Sequence, residues 1–245
     1  MTRDAKRLTG SLGPVVVPVE VAPMPPVLSG RYARLERLSR AHVPGLWNAY
    51  AEDREGSVWI YMAEGPFADQ DAFAAWVDAA VAGATGVGEA AFYAIKDRDA
   101  GRLGGVAAFL AIRPGQRVIE VGAIALAPCL QRRRAATEAM ALMAGWAFGA
   151  GYRRYEWKCN ALNAPSRRAA ARLGFSYEGV FRCHMIQKGR SRDTAWFAMT
   201  QSEWPGLAGA HAAWLDPGNF DAAGWQRRQL GTLTAPWRRP PHPEA

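Results

Sequence analysis

Residues 118–159 contain a strand, a long apolar helix and a second strand in direct succession, and this order constrains the fold more than any other feature. The first strand reads VIEVGAIAL (118–126), the helix covers 135–150, and the second strand covers 153–159. A strand–helix–strand unit within one sheet forms a right-handed parallel crossover. We therefore predict that strand 118–126 lies parallel to strand 153–159.

Further strand patterns on both sides of this unit predict a sheet that is mostly antiparallel. The turn signals DRDAG and RPGQR separate three successive strand patterns, which indicates a meander. A last hairpin turns at Lys188–Gly189. The predicted strands cover 30–38, 89–97, 102–112, 175–189 and 192–200 as well as the two above, and the other predicted helices cover 39–53, 69–83 and 163–174.

The chain divides into three regions by composition. Residues 1–28 are rich in Pro, Val and Gly and lack a helical period, which predicts an extended N-terminal arm. Residues 29–204 carry the strand and helix patterns of one domain. Residues 205–245 are rich in Trp, Pro and Arg and form a C-terminal extension that packs on the domain or on a partner.

Targeting and redox signals point to the cytoplasm. The N-terminus has no continuous apolar region of signal-peptide length, and the longest apolar stretch, 139–151, is too short to span a bilayer. Cys129, Cys159 and Cys183 are far apart and have no metal-ligand spacing. We therefore expect a cytoplasmic protein with neither a metal site nor a membrane association.

Three consecutive arginines precede the apolar helix at the end that carries the positive pole of its dipole. No Ser, Thr, Asp or Asn lies between Pro128 and Ala136 to cap the first turn. An anion there would satisfy the free backbone N–H groups, the dipole and the guanidinium groups of Arg132, Arg133 and Arg134. The pattern predicts a phosphorylated ligand such as a pyrophosphate; the alternative is an exposed basic turn.

The motifs around this loop resemble those of a known family. The resemblance lies in a strand followed by Q-x-x-G-x-A and a helix, and then in a second strand followed by N-x-x-S, a helix and LGF. In these motifs the chain resembles the GNAT N-acetyltransferases, most of all the Rim-type protein N-terminal acetyltransferases. The resemblance covers about residues 28–204, and Arg134 stands where the family has a glycine. The matching residues are Gln131, Ala136, Asn163, Ser166 and Leu173–Gly174–Phe175.

The resemblance implies an α+β GNAT fold with acetyl-CoA as co-substrate. Its mixed, mostly antiparallel sheet has about seven strands, helices on both faces, and a splay between the fourth and fifth strands, which are 118–126 and 153–159 here. The pantetheine arm would pair with the first of these strands, and the pyrophosphate would lie at the helix N-terminus. The implied cofactor-binding residues are Ile124, Ala125, Leu126, Gln131, Arg132, Arg133, Arg134, Ala135, Ala136, Thr137, Asn163 and Ser166.

Direct acetyl transfer needs a neutral amine, a polarised carbonyl and a proton for the leaving thiolate. Ser166 matches the family position that protonates the thiolate; the alternative is an exposed residue in the first turn of a helix. Glu120 lies in an apolar strand, where a carboxylate is costly unless it is paired or faces a cleft. His184 has a suitable ordinary pKa for a base, although a lone strand His more often packs or hydrogen-bonds. Glu120 and His184 are therefore both candidate bases.

The acceptor site is predicted from aromatic and acidic residues near the cleft. Trp59, Tyr61, Asp193 and Trp196 are candidate substrate-binding residues, with core packing as the alternative for the aromatic ones. The expected acceptor is a primary amine, either a protein or peptide N-terminus or a small molecule such as an amino acid, polyamine or antibiotic. A basic nucleic-acid-binding module and a non-catalytic CoA-binding protein are the remaining alternatives, and nucleic acid is disfavoured because no binding motif is present. Whether the chain forms a homodimer is left open.

Overall fold

In the computed structural model of this 245-residue chain, residues 13, 15–17, 20–84 and 90–239 are described. About half of the predicted N-terminal arm lies outside these residues. The first residue of the strand predicted at 89–97 and the end of the predicted extension also lie outside them. The strands are β1 (Val27–Ser29), β2 (Ala33–Arg37), β3 (Ala90–Asp97), β4 (Arg102–Arg113), β5 (Val118–Leu126), β6 (Arg154–Asn160), β7 (Ser176–Gln187) and β8 (Arg190–Thr200). The α-helices are α1 (Val43–Tyr50), α2 (Gln70–Val81), α3 (Arg134–Gly149), α4 (Ala164–Leu173), α5 (Trp204–Leu215) and α6 (Leu230–Thr234).

All eight strands belong to one sheet, in the order β1-β2-β3-β4-β5-β6-β8-β7. Neighbouring strands are antiparallel except β5 and β6, which are parallel and connected by α3. The predicted parallel crossover and mostly antiparallel sheet are therefore confirmed. The sheet has one strand more than the seven or so predicted, because Val27–Ser29 pairs with β2 at the end of the predicted arm.

The predicted splay is present between β5 and β6. Their pairing begins at Val118 with Arg154 and ends at Val121 with Trp157. The last five residues of β5 and the last three of β6 continue as strands without pairing to each other. A wedge-shaped gap therefore opens at the carboxyl ends of the two strands, next to the loop that leads into α3.

Helices cover both faces of the sheet, as predicted. On one face α3 packs Ala139 and Met143 against Ile119 and Val121 of β5. On the other face α1 and α2 form an aromatic-rich core with β3 and β4, and this core reaches Ala125 of β5. The two faces of β5 thus have different neighbours, with Ile119 and Val121 on the α3 face and Ala125 on the opposite face.

The described part of the C-terminal extension packs on the same core as the α3 face. Trp204 stacks on Phe148 of α3, with ring centroids 5.0 Å apart. Leu207 and Leu230 are fully buried, and His211 Nε2 donates to the carbonyl oxygen of Leu173 at 2.7 Å. This packing closes the end of α4 against solvent. No helix among the described residues has the length and apolarity needed to cross a membrane.

Candidate active site

A β-bulge interrupts β5 at the position where the splay opens. Gly122 pairs with Ala108 and Ala125 pairs with Val106, so Ala123 and Ile124 together face one residue of β4. Ala123 has a φ of 48°, which is rare for a residue with a side chain and is typical of such an irregularity. The bulge turns the backbone of the strand beyond it, and its β6-facing edge has no partner strand.

Two side chains fix the end of β5 after the bulge. The hydroxyl of Tyr50 on α1 donates to the carbonyl oxygen of Ala125 at 2.8 Å, and it is fully buried. The side-chain amide of Gln131 donates to the carbonyl oxygen of Leu126 at 2.9 Å. The predicted cofactor strand, Ile124–Leu126, is therefore held at Ala125 and Leu126, while its β6-facing edge has no partner strand.

The first turn of α3 has no side-chain cap. Arg133 is the N-cap residue, and its own N–H donates to the carbonyl oxygen of Leu130 at 3.2 Å. The N–H groups of Arg134, Ala135 and Ala136 have no intrahelical acceptor because of helix geometry. Arg132 and Arg133 are exposed and form no ion pair with a described residue. This end of the helix fits an anionic ligand.

The side chain of Arg134 is engaged with protein groups. Its guanidinium carbon lies 4.5 Å from the ring centroid of Tyr32 and 4.8 Å from that of Phe220. Its Nη2 lies 3.1 Å from Oδ2 of Asp99 in the turn after β3. Arg134 therefore offers the helix end its backbone N–H, while its guanidinium connects three separate parts of the chain.

A buried carboxylate that the sequence analysis did not select also anchors α3. Glu138 accepts the backbone N–H of Arg31 at 2.9 Å on Oε1 and those of Tyr32 and Ala33 at 2.6 Å on Oε2. A Cβ at Gly30 would clash with this carboxylate, so the turn needs glycine there. Thr137, predicted to bind the cofactor, is buried and accepts a hydrogen bond from Arg172 at 3.1 Å.

Asn163 and Ser166 lie at the start of α4, beside the residue at which β5 and β6 separate. The side chain of Asn163 caps α4 by accepting the N–H of Ser166 at 3.1 Å. The hydroxyl oxygen of Ser166 accepts the indole N–H of Trp157, the last residue of β6 paired with β5, at 3.1 Å. Because the indole can only donate, Ser166 keeps its own proton to donate, and the Cys159 thiol is a second hydrogen-bond partner of this hydroxyl.

Glu120 is 1% exposed and lies on the face of β5 opposite α3. Its Oε2 lies 2.9 Å from Nζ of Lys158, which is on β6 within the splay. Burial raises the pKa of Glu120, and the nearby ammonium of Lys158 partly opposes that rise. Glu120 is therefore a paired carboxylate at the opening of the gap rather than a solvated residue at a sheet edge.

His184 and Trp196 continue this face of the sheet beyond Lys158. Lys158 Nζ lies 5.4 Å from the centroid of Trp196, and the Trp196 and His184 rings are 5.9 Å apart. His184 is exposed, and its Nδ1 lies 3.0 Å from the hydroxyl oxygen of Thr194. A series of contacts thus connects Glu120 to His184 across β6, β8 and β7.

Asp193 has a structural contact that its sequence position did not reveal. Its carboxylate accepts the backbone N–H of Cys183 at 2.8 Å, within an irregularity of β7 between Phe181 and Met185. Its carbonyl oxygen accepts the N–H of Ala161 at 2.9 Å. Asp193 therefore stabilises the irregular part of β7 that contains His184.

The segment between α1 and α2 crosses the splay and reaches the tip of the β7–β8 hairpin. Lys188 Nζ donates to the carbonyl oxygens of Trp59 and Gly65 at 2.8 and 2.5 Å, and Gln187 donates to that of Tyr61 at 3.0 Å. The Tyr61 hydroxyl donates to the carbonyl oxygen of Leu162 at 3.3 Å. The Trp59 ring is buried among Tyr50, Phe67 and Trp76, so it packs in the core beneath the segment.

No group of His, Cys, Asp or Glu side chains among the described residues has an arrangement that could hold a metal ion. The three cysteines are free thiols. Burial raises the pKa of Cys159, which lies on the α4 side of β6.

Comparison with known proteins identifies similar chains of the same architecture. Residues 33–176 match the family model described as "Acetyltransferase (GNAT) domain". No curated protein sequence matches the chain significantly. The crystal structure of a GCN5-related N-acetyltransferase from Brucella melitensis is 42% identical, with a TM-score of 0.83, over 87% of this chain and 96% of that one.

Two further solved structures show how far the likeness extends. A GNAT family protein from Chromobacterium violaceum ATCC 12472 is 34% identical, with a TM-score of 0.72, over 81% of this chain and 98% of that one. The Salmonella typhimurium enzyme that modifies the N-terminal serine of ribosomal protein L7/L12 is 20% identical, with a TM-score of 0.60, over 71% of this chain and 98% of that one. At that identity, the Salmonella enzyme shares the fold.

Proposed function

This chain belongs to the GNAT acetyltransferase family, and from that membership we propose that it moves the acetyl group of acetyl-CoA to the primary amine of a protein or peptide N-terminus. One observation carries the proposal: the splay, the uncapped first turn of α3 and the hydroxyl of Ser166 lie at the same end of the sheet. A thioester donor with an anionic tail needs these three features together. The proposal accounts for the basic, uncapped turn without requiring nucleic acid.

The residues present fit acetyl-CoA. The N–H groups of Arg134, Ala135 and Ala136, together with the exposed arginines Arg132 and Arg133, suit a pyrophosphate. The open edge of Ile124–Leu126 suits an amide-bearing arm, since its backbone groups have no partner strand on that side. When bound, acetyl-CoA supplies an activated acetyl group on a thiol leaving group.

Ser166 and Glu120 have complementary proton roles in this proposal. The hydroxyl oxygen of Ser166 accepts the Trp157 indole N–H, so the hydroxyl keeps its own proton, which suits it to protonate a leaving thiolate. Glu120 has a pKa raised by burial, which suits a base that removes a proton from an ammonium. His184 lies further along the same face and is the alternative base.

The surface beside His184 favours a peptide as the acceptor. β7 is the last strand in the sheet order, and several of its apolar side chains are solvent-exposed, including Phe181 at 55% and Ile186 at 83%. An extended peptide can lie along an edge strand and bury such side chains. A chain whose N-terminal amine entered the cleft would have this surface for its following residues.

A small-molecule amine is the second candidate, and the crossing segment favours it. The bonds from Lys188 and Gln187 to the carbonyl oxygens of Trp59, Tyr61 and Gly65 close one side of the acceptor cleft. A closed cleft restricts the size of the acceptor. A peptide N-terminus and a small-molecule amine would react with the same bound cofactor. They differ only in the part of the acceptor attached to the amine.

A thiol-release assay with acetyl-CoA tests the proposal against both alternatives. The panel consists of short peptides with free N-termini, the same peptides with acetylated N-termini, and small amines. Release that requires a free peptide N-terminus supports the proposal, and release with small amines alone supports the second candidate. CoA binding without release on any acceptor of the panel would contradict the proposed activity.

A further inference from the structure

The guanidinium of Arg134 joins three separate parts of the chain at the first turn of α3. Its two aromatic neighbours face it at 4.5 Å (Tyr32) and 4.8 Å (Phe220), and Asp99 pairs with it at 3.1 Å. Tyr32 precedes β2, Asp99 follows β3, and Phe220 lies in the loop between α5 and α6. A residue of the C-terminal extension therefore contacts the turn that is proposed to bind phosphate.

The same side of α3 carries two other anchors. Residues 134, 137 and 138 are spaced three and four apart, so their side chains lie on neighbouring positions of the helix surface. Glu138 holds the backbone of residues 31–33, and Thr137 accepts a hydrogen bond from Arg172. The Arg172 guanidinium carbon lies 4.9 Å from the ring centroid of Trp214 on α5. The first turns of α3 are thus anchored by side-chain contacts with other parts of the chain.

Phe220 is held in place by its own surroundings. Its ring meets that of Trp214 edge-on, with centroids 5.1 Å apart. The adjacent Asn219 is buried, donates to the carbonyl oxygen of Trp214 at 3.0 Å and accepts the N–H of Arg228 at 2.9 Å. The indole of Trp214 donates to the side chain of Gln226 at 2.7 Å. The loop therefore presents the Phe220 ring to Arg134 in one defined position.

We propose that Phe220 is a positioning residue for acetyl-CoA: its ring fixes the Arg134 guanidinium and thereby the direction of the backbone N–H groups in the first turn of α3. This inference rests on the proposed function, because it assumes that those N–H groups bind the cofactor. Hydrogen bonds to an anion weaken steeply when donors turn away from it. The extension after residue 204 is then part of the cofactor site, although it contributes no group to the cofactor.

The test replaces Phe220 and leaves Arg134 in place, because removing Arg134 would also remove any contact of its own with phosphate. Phe220→Leu keeps an apolar side chain of somewhat smaller volume and removes the aromatic ring that faces Arg134. We expect the Kd for CoA and the KM for acetyl-CoA to rise by about 3- to 10-fold, the range set by a lost cation–π contact. The kcat and the KM for the acceptor should stay unchanged, and Phe220→Tyr should restore the wild-type values.

The control is Trp225→Ala, because Trp225 lies in the same loop and its side chain is 74% exposed. It should leave the Kd for CoA unchanged. In an Arg134→Ala background, Phe220→Leu should have no further effect on that Kd, since the two residues act as one unit. If Phe220→Leu lowers Tm, the Trp225→Ala control and the comparison with the Arg134→Ala double variant still distinguish a specific loss of CoA binding from general destabilisation.

The inference would be overturned if Phe220→Leu had the wild-type Kd for CoA and KM for acetyl-CoA. It would also be overturned if kcat fell and the KM for the acceptor rose by the same factor, or if the effects of Arg134→Ala and Phe220→Leu on Kd were additive. Failure of the wild-type protein to bind CoA would instead contradict the proposed function. The two failures are therefore distinguishable from one titration series.

Discussion

Lys158 and Glu120 form an ion pair across the opening of the splay, with 2.9 Å between Nζ and Oε2. The parallel strands β5 and β6 are hydrogen-bonded to each other only as far as Val121 and Trp157. Glu120 lies just before this point on β5, and Lys158 lies just after it on β6. The ammonium also faces the Trp196 ring at 5.4 Å. A cation thus already occupies the neighbourhood of the carboxylate that is proposed to deprotonate the acceptor.

Lys158→Met is expected to move the acidic limb of the pH–rate profile to higher pH. Burial and the neighbouring Glu156 raise the pKa of Glu120, whereas Lys158 and Arg192 lower it. A base must be ionised to act, and removing the Lys158 cation raises its pKa further. The shift should be about 1 pH unit or more, measured as log kcat/KM against pH.

Lys158→Arg is the matched control because it keeps the charge, and its limb should lie close to that of the wild type. Glu120→Gln should remove this limb from the profile. A limb unchanged in both Lys158→Met and Glu120→Gln would show that Glu120 is not the base. In that case His184→Gln is the variant that should change the limb.

Ser166→Ala is expected to lower kcat by about 100-fold or more, the range for loss of a general acid, with little change in the Kd for CoA. Trp157→Phe is the companion variant, because it removes the indole donor that orients the Ser166 hydroxyl. It should lower kcat less than Ser166→Ala does. If the wild type and Ser166→Ala had the same kcat, Ser166 would not be the general acid and would have only a structural role in the first turn of α4.

Glu138→Gln is expected to lower the free energy of unfolding by about 1–3 kcal/mol, because a buried carboxylate that satisfies backbone donors is lost. The amide has one acceptor oxygen for the donors of Arg31, Tyr32 and Ala33, and its NH2 group would face a donor. Urea denaturation measures the change. Glu178→Gln is the control, since its ion pair with Arg154 is partly exposed and should contribute less than about 1 kcal/mol. Equal losses in the two variants would contradict the anchoring role of Glu138.

The features that local signals determine could be predicted from the sequence. Asn163 caps α4 and Gly174 ends it with a φ of 104°, and both roles depend on neighbouring residues alone. The parallel crossover was predictable because a strand, helix and strand in one sheet leave one arrangement. The missing side-chain cap of α3 could also be predicted, because a capping residue must lie within a few residues of the helix start.

Contacts between distant parts of the chain could not be predicted in this way. Glu138 bonds to residues more than 100 positions earlier, so no pattern around it indicates its role. The pairing of Lys158 with Glu120 follows from the register of β5 and β6, which a single sequence does not reveal. Arg134 was grouped with its two neighbours as a phosphate ligand, and only tertiary packing separates its side chain from theirs.

That separation leads to a last prediction, in which Arg132 and Arg133 act on the cofactor through charge while Arg134 acts through position. Both Arg132 and Arg133 are exposed and have no ion-pair partner among the described residues, so replacing either one breaks no ion pair within that part of the chain. Arg132→Gln and Arg133→Gln should each raise the KM for acetyl-CoA about two- to fivefold, as expected for exposed charge pairs.

The salt dependence of that KM distinguishes charge from position. Since exposed charges are screened by salt, the rise of KM with ionic strength should be smaller in the Arg132→Gln/Arg133→Gln double variant than in the wild type. Arg153→Gln is the control, because Arg153 is exposed just before β6, at the end of the sheet away from the splay. The double variant and the wild type having the same salt dependence would contradict a direct role of these two guanidinium groups in binding the pyrophosphate.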